Sequence, residues 1–404
     1  MEHYLFSQPE RNLKVNEIIK KVASTIEASQ SSASDLGLLN GLSGKLLFLW
    51  QLGLHDDSMV DEKVFAQNLQ FLEENLNQII NHAQLSYGLT GIGWFFEYTN
   101  QTQSGEYDAE LCLDIDAILQ QGLSAPHWRG EIEMVLGLGG YAIYAARRKD
   151  LSAQTKFFDR ILMFFEQLAT FTTNNMVTWN QPPKSVYRLD KESKSAEEYN
   201  LGLAHGVPGI IASLLPALNC PQLRKRAENL ISNSCNWLLS QQQDPKEYGS
   251  YFSTVASSNK VSRLAWCYGD LTIALTLYRA GAALNNPSYI DKAIEIGLHS
   301  ASRNLRSSIV QDAGICHGSA GLYLIFNKLF KASGVAEFEV ASLKWLDHTL
   351  ALFERNGLSG FDKFDSDGFF VQNLGFLEGY AGIGLCLLSS ITGEDNWADC
   401  LLLS

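Results

Sequence analysis

Seven short glycine motifs, spread along the whole chain, constrain its fold more than any other feature. Six of them set two glycines three residues apart: Gly41 and Gly44, Gly88 and Gly91, Gly137 and Gly140, Gly206 and Gly209, Gly318 and Gly321, Gly379 and Gly382. A seventh keeps Gly269 but carries Thr272 where the second glycine would stand. By residue number the first glycines lie 47, 49, 69, 63, 49 and 61 residues apart. A lone glycine pair means little, but self-similarity at this period is the mark of a repeat architecture.

Each motif leads into a nearly all-apolar run, such as Lys45 to Trp50 or Leu322 to Phe326. Runs this apolar belong to helices buried on every side. Between the motifs the pattern turns amphipathic: Ile18, Ile19, Val22 and Ile26 share one helical stripe, and Phe157 to Leu168 and Ala341 to Phe353 repeat the arrangement. Strand signals are sparse, and neither Asn40-Gly41 nor Asn356-Gly357 separates two alternating segments. The pattern predicts an all-α chain of about seven helix pairs, each an outer amphipathic helix followed by an inner helix opened by the glycine motif. Inner helices this apolar do not suit an exposed concave face. The expected architecture is therefore a closed α/α toroid (α,α-barrel), a single domain over residues 1–404. Its most polar stretch, Asn180 to Asn200, is expected as an exposed loop insertion.

Bulk properties narrow the functional classes. The chain has 404 residues, of which 46% are hydrophobic and 19% charged, the profile of a folded protein. No uncharged apolar stretch reaches 18 residues, so no integral membrane segment is expected. The first residues carry charges and a proline where a signal peptide needs an apolar core, which predicts a cytoplasmic location. There the 7 cysteines stay reduced, and metal binding or catalysis becomes the leading use for them. A net charge of −13 with no basic cluster repels nucleic-acid backbones and suits a basic or neutral peptide partner.

The repeat makes positions comparable across the chain. Copies four to six read Ala204-His205-Gly206, Cys267-Tyr268-Gly269 and Cys316-His317-Gly318. Two cysteines thus stand two residues before their glycine, and two histidines one before. Related by rotation about one axis, these side chains emerge at the same end of the ring from consecutive repeats. Two thiolates and one imidazole from Cys267, Cys316 and His317 suit zinc, and three protein ligands leave the fourth tetrahedral position open, the pattern of a catalytic site. His205 fits either a fourth ligand or an acid/base beside the metal. Arg263, Tyr268 and Glu133 lie on the approaches to the same slots. Cys112, Cys220, Cys235, Cys386 and Cys400 fall in helix-like runs and are expected in the core.

These segments resemble the lanthionine synthetase C family, the LanC-like cyclases, over nearly the whole chain. The resemblance is most specific at Ala204 to Gly209, Arg263 to Asp270 and Cys316 to Gly318. It implies an α/α toroid with one zinc ion on Cys267, Cys316 and His317, with His205 as the acid/base histidine and Arg263 and Tyr268 as active-site residues. Two departures stand out. Glu133 occupies the place where many cyclases carry an aspartate, and Thr272 replaces a motif glycine.

The resemblance further implies an intramolecular Michael addition, in which a peptide cysteine thiolate adds to dehydroalanine or dehydrobutyrine and forms a (methyl)lanthionine thioether. The partner is then a dehydrated precursor peptide, supplied by a separate dehydratase and followed by an export transporter. The enzyme would sit free in the cytoplasm or peripheral to a membrane-associated biosynthetic complex. Three other readings compete. One is addition of a small thiol such as glutathione. Another is a protein-prenyltransferase-like toroid, against which the Cys-His-Gly motif argues. The third is a non-catalytic peptide-binding scaffold held by a structural zinc.

Overall fold

The computed structural model describes residues 7–103, 105–181 and 198–404. Among these, all seven glycine motifs open helices: Leu42–His55, Leu89–Thr102, Leu138–Arg147, Val207–Leu214, Asp270–Leu284, Ser319–Ser333 and Tyr380–Thr392. The first glycine is the N-cap each time. The expected amphipathic partners are also present, as Gln8–Glu27, Glu62–Asn75, Leu113–Gly122, Leu151–Leu168, Arg224–Leu239, Pro287–Ser302 and Ala336–Asn356.

The two sets differ in burial as their sequences require. In Ser319–Ser333 every residue from Ser319 to Phe326 is buried. In Leu151–Leu168 the buried residues are a stripe of Ala153, Phe157, Phe158, Ile161, Leu162, Phe164 and Phe165. Burying a side chain of this size stabilises by about 1.5–3 kcal/mol before entropy is counted, so the apolar runs commit these helices to the interior.

The second glycine answers a local steric demand in four of the motifs. A Cβ on Gly44, Gly209, Gly321 or Gly382 would come within 2.2, 2.0, 2.0 and 1.8 Å of the carbonyl oxygen of Leu38, Leu203, Ile315 and Phe376 respectively. That carbonyl belongs to the residue three before the first glycine, so the loop packs directly on the first turn of the helix. The fifth copy escapes the demand: Gly269 adopts φ +106°, where the other six N-cap glycines are extended, and its helix tolerates Thr272.

The chain divides into two compact units. One comprises Met1–His82, Ser86–Gly105 and Ile309–Ser404. Within it Leu42–His55 packs on Leu89–Thr102 and Tyr380–Thr392, and Ser319–Ser333 packs on Ala336–Asn356 and Tyr380–Thr392. The other comprises Ala83–Leu85 and Glu106–Ser308. There Val207–Leu214 packs on Leu138–Arg147, Arg224–Leu239 and Asp270–Leu284, and Asp270–Leu284 packs on Pro287–Ser302.

Strand structure among the described residues is limited to two antiparallel pairs, Thr170–Phe171 with Val177–Thr178 and Lys363–Phe364 with Phe370–Val371. No helix there is long and apolar enough to cross a membrane. Of the polar stretch expected as an exposed loop, residues 182–197 lie outside the described residues. Its flanks depart from the expectation: Gln181, Glu198 and Asn200 are buried. Backbone N–H of Gln181 donates to the Glu198 carbonyl at 2.9 Å, and Glu198 N–H donates to Asn180 Oδ1 at 2.9 Å, so the two ends are held together.

Candidate metal centre and its surroundings

The candidate residues sit on loops of one construction. In six repeats the residue after the first glycine donates its N–H to the carbonyl of the residue six before that glycine. The pairs are Leu42 with Asp35, Leu89 with His82, Leu138 with Glu131, Val207 with Asn200, Ser319 with Asp312 and Tyr380 with Asn373. In three of these loops an Asn or Asp side chain closes an inner turn as well. Asn200 Oδ1 accepts from Gly202 N–H at 2.8 Å, Asp312 Oδ1 from Gly314 N–H at 3.2 Å and Asn373 Oδ1 from Gly375 N–H at 2.7 Å.

Neighbouring loops are joined through their backbones at the residue two before the glycine. In one unit Leu39 N–H donates to Ser86 O, Leu377 N–H to Leu39 O, and Cys316 N–H to Leu377 O, at 3.1, 2.6 and 3.0 Å. In the other unit Ala204 N–H donates to Cys267 O at 3.3 Å. This stitching is what makes equivalent side chains from adjoining repeats neighbours, as the repeat symmetry predicts.

One ligand atom from each of Cys267, Cys316 and His317 lies within 4.8 Å of the other two. All three residues are partly exposed, whereas Cys112, Cys220, Cys235, Cys386 and Cys400 are buried, as the sequence leads one to expect. Two thiols and an imidazole are a donor set that fits zinc. The imidazole also has the outer support that metal-ligating histidines characteristically show: His317 Nε2 lies 3.3 Å from Asp312 Oδ2, and Asp312 is only 2% exposed. The same Oδ2 accepts from Phe364 N–H at 3.1 Å.

The second unit holds a polar cluster around His205. Its Nδ1 lies 3.2 Å from Glu133 Oε2. Glu133 is itself pinned by its own backbone, accepting from Val135 N–H at 2.6 Å and Leu136 N–H at 2.8 Å. Burial works against a charge on His205, but the nearby carboxylate of Glu133, with Cys267 and Glu131 beyond, outweighs it and raises the imidazole's pKa above the ordinary value. The Tyr268 ring centroid is 6.4 Å from that of His205. Burial holds the Tyr268 phenol well above its usual pKa, so the hydroxyl keeps its proton. Arg263 is half-buried and occupies the position six before Gly269, where its carbonyl oxygen would lie 2.0 Å from a Cβ on that glycine.

The sequence reading missed two residues of these surroundings, Asn200 and Asp312. A signal was available: Asn or Asp, two residues before a glycine and six before the motif glycine, recurs at Asp35, Asn200, Asp312 and Asn373.

Comparison with known proteins agrees with the geometry. The curated "Nisin biosynthesis protein NisC" of Lactococcus lactis subsp. lactis is 24% identical over 399 residues, covering 91% of this chain and 89% of that protein. A solved structure of nisin cyclase superposes with a TM-score of 0.71 at 20% identity, covering 97% of this chain and 98% of its own. That likeness shows the fold, an α/α toroid. The sequence profile of the family described as "Lanthionine synthetase C-like protein" matches residues 32–402. The chain therefore belongs to the lanthionine synthetase C-like family.

Proposed function

We propose that this protein is a zinc-dependent lanthionine cyclase, acting as one catalytic domain. The observation that carries the reading is the cluster of two thiols and an imidazole at Cys267, Cys316 and His317, in a chain of this family. Its substrate is a precursor peptide that carries cysteines together with dehydroalanine or dehydrobutyrine residues made beforehand by a separate dehydratase. Export of the finished peptide falls to a separate transporter.

A zinc ion held by Cys267, Cys316 and His317 would supply Lewis acidity, favouring loss of a substrate thiol's proton to solvent near neutral pH. The thiolate sulfur forms a bond to the β-carbon of the dehydro residue. The electron pair of the carbon–carbon double bond moves toward the adjacent carbonyl and leaves an enolate. Arg263 and the protonated Tyr268 hydroxyl are the donors assigned to that oxyanion. The α-carbon then needs a proton, and His205 is the donor assigned to it. Glu133 orients His205 through Nδ1, which makes Nε2 the nitrogen that exchanges the proton with substrate.

The test pairs metal analysis of the purified protein with mass spectrometry of a dehydrated, cysteine-containing peptide after thiol blocking. One zinc per chain and loss of blockable thiols on incubation are expected. Failure to retain zinc, or thiols that persist beside the cognate peptide, sinks the reading. Mass gain by glutathione instead of internal ring closure identifies small-thiol addition.

A further inference from the structure

The carboxylate of Asp312 does more than its loop requires. The loops that begin at Asn200 and Asn373 have the same backbone closure and the same inner turn, yet an amide serves in both. One accepting oxygen is therefore enough to build this loop. At position 312 that oxygen is Oδ1, which accepts from Gly314 N–H. The second oxygen carries a charge into a site 2% exposed, which is costly unless the charge is satisfied. What satisfies it is the His317 ring, with Oδ2 3.3 Å from Nε2, and the Phe364 amide at 3.1 Å. An amide nitrogen in place of Oδ2 could accept from neither.

We propose that Asp312 is a positioning residue that fixes the tautomer of His317, holding the proton on Nε2 so that Nδ1 presents its lone pair to the metal. This rests on the metal reading above for its consequence, but the tautomer itself belongs to the protein alone. A neutral imidazole carries one proton and one lone pair, and whichever nitrogen donates to a carboxylate leaves the other to act as ligand. The Phe364 amide holds the carboxylate from another direction, so the oxygen is restrained on two sides. Asp312→Asn keeps the loop acceptor, as Asn200 and Asn373 do, but turns a donor toward Nε2. The ring then gains by taking the opposite tautomer, with its proton on the nitrogen the metal needs.

The experiment has two arms on the full chain. In the first, the protein is labelled with 15N-histidine and stripped of metal. Its ring nitrogens are read at a pH where imidazole is neutral, with His317 assigned from its disappearance in His317→Gln. Wild type is expected to carry the His317 proton on Nε2 and Asp312→Asn on Nδ1. A wild-type proton on Nδ1, or an unchanged tautomer in the variant, overturns the proposal; the wild-type measurement stands even should the variant fold poorly. In the second arm, zinc affinity is measured by competition with a chromophoric chelator. Asp312→Asn is expected to bind zinc about 10–100-fold more weakly. Equal affinity in the two proteins overturns the proposal. Wild type that binds no zinc overturns the metal reading instead, and the first arm still decides the role of Asp312.

Discussion

The side-chain amide of Asn200 donates to the Tyr268 hydroxyl oxygen at 2.9 Å, across 68 residues of sequence. Both residues are buried, and Asn200 Oδ1 is occupied by the Gly202 amide. The asparagine is thus locked in one orientation. It fills an acceptor position of the phenol, and the hydroxyl proton is directed to a different partner. A loop-building side chain has become the support of a candidate active-site hydroxyl.

Asn200→Ala leaves the Gly202 N–H and the Tyr268 hydroxyl without these partners in a buried setting. A cost of about 1–3 kcal/mol in urea unfolding is expected. Asn200→Asp keeps the loop acceptor but cannot donate to Tyr268. It is expected to reduce cyclisation more than it reduces stability. Tyr268→Phe removes the hydroxyl outright and strands the Asn200 amide. Parallel unfolding curves and thiol-blocking assays on the three variants separate support from chemistry. Equal activity of Tyr268→Phe and wild type would remove Tyr268 from the reaction.

Glu133 gives the site a pH signature. The protonated imidazole of His205 is the proposed donor, so activity is present below its pKa and lost as pH rises through it. Burial opposes a charge on the imidazole, but the Glu133 carboxylate 3.2 Å from Nδ1 outweighs it and raises that pKa. Glu133→Gln removes the charge and lowers it. The alkaline limb of the kcat/KM profile is therefore expected to move to lower pH in the variant. Glu133 also accepts two backbone N–H bonds, and the glutamine retains one accepting oxygen, so a moderate loss of stability should accompany the shift. An alkaline limb that stays in place assigns it to a group other than His205.

How far the sequence carried this picture depends on the kind of constraint. Four of the seven helix openings were legible because sterics write them directly: a loop carbonyl pressed on the helix's first turn admits only glycine at Gly44, Gly209, Gly321 or Gly382. The toroid and the slots of Cys267, Cys316, His317 and His205 were legible because the repeat turns sequence spacing into geometry. Glu133 could be named as a candidate, but its pairing with His205, 72 residues away, needed coordinates. Asp312 and Asn200 were overlooked because Asn or Asp before glycine is ordinary turn chemistry. Their role lies in the second polar atom, whose partner no local pattern reveals. The buried flanks of the Asn180 to Asn200 stretch escaped notice for a similar reason: a polar composition does not show which residues fold back on one another.

The division between ligand and core cysteines is open to direct test. Cys316→Ala and Cys267→Ala are each expected to lower bound zinc from one ion per chain to a small fraction of that after dialysis against a weak chelator. Cys386 is buried within Tyr380–Thr392, and burial raises its thiol pKa well above the ordinary value, which disfavours the thiolate a metal needs. Cys386→Ala is expected to cost roughly 1–2 kcal/mol of stability through lost packing while zinc content stays at wild type. Zinc retained by Cys316→Ala, or lost from Cys386→Ala in the folded state, contradicts the assignment.

Two glycines separate crowding from backbone strain as reasons for the repeat's composition. Gly382 lies within Tyr380–Thr392, where glycine is otherwise a weak helix former. A Cβ there would stand 1.8 Å from the Phe376 carbonyl oxygen and 2.8 Å from Ile315 Cδ1. The loop backbone cannot yield without disturbing the helix entry, so Gly382→Ala is expected to destabilise by about 3 kcal/mol despite its better helix propensity. Gly334 presents the opposite case. It caps Ser319–Ser333 at φ +70° with nothing within 4 Å of a Cβ, so Gly334→Ala meets only the left-handed backbone penalty of about 1 kcal/mol. Urea unfolding of the two single variants reads the difference. Equal costs would mean that the second glycine of the motif is not selected by contact with the preceding loop.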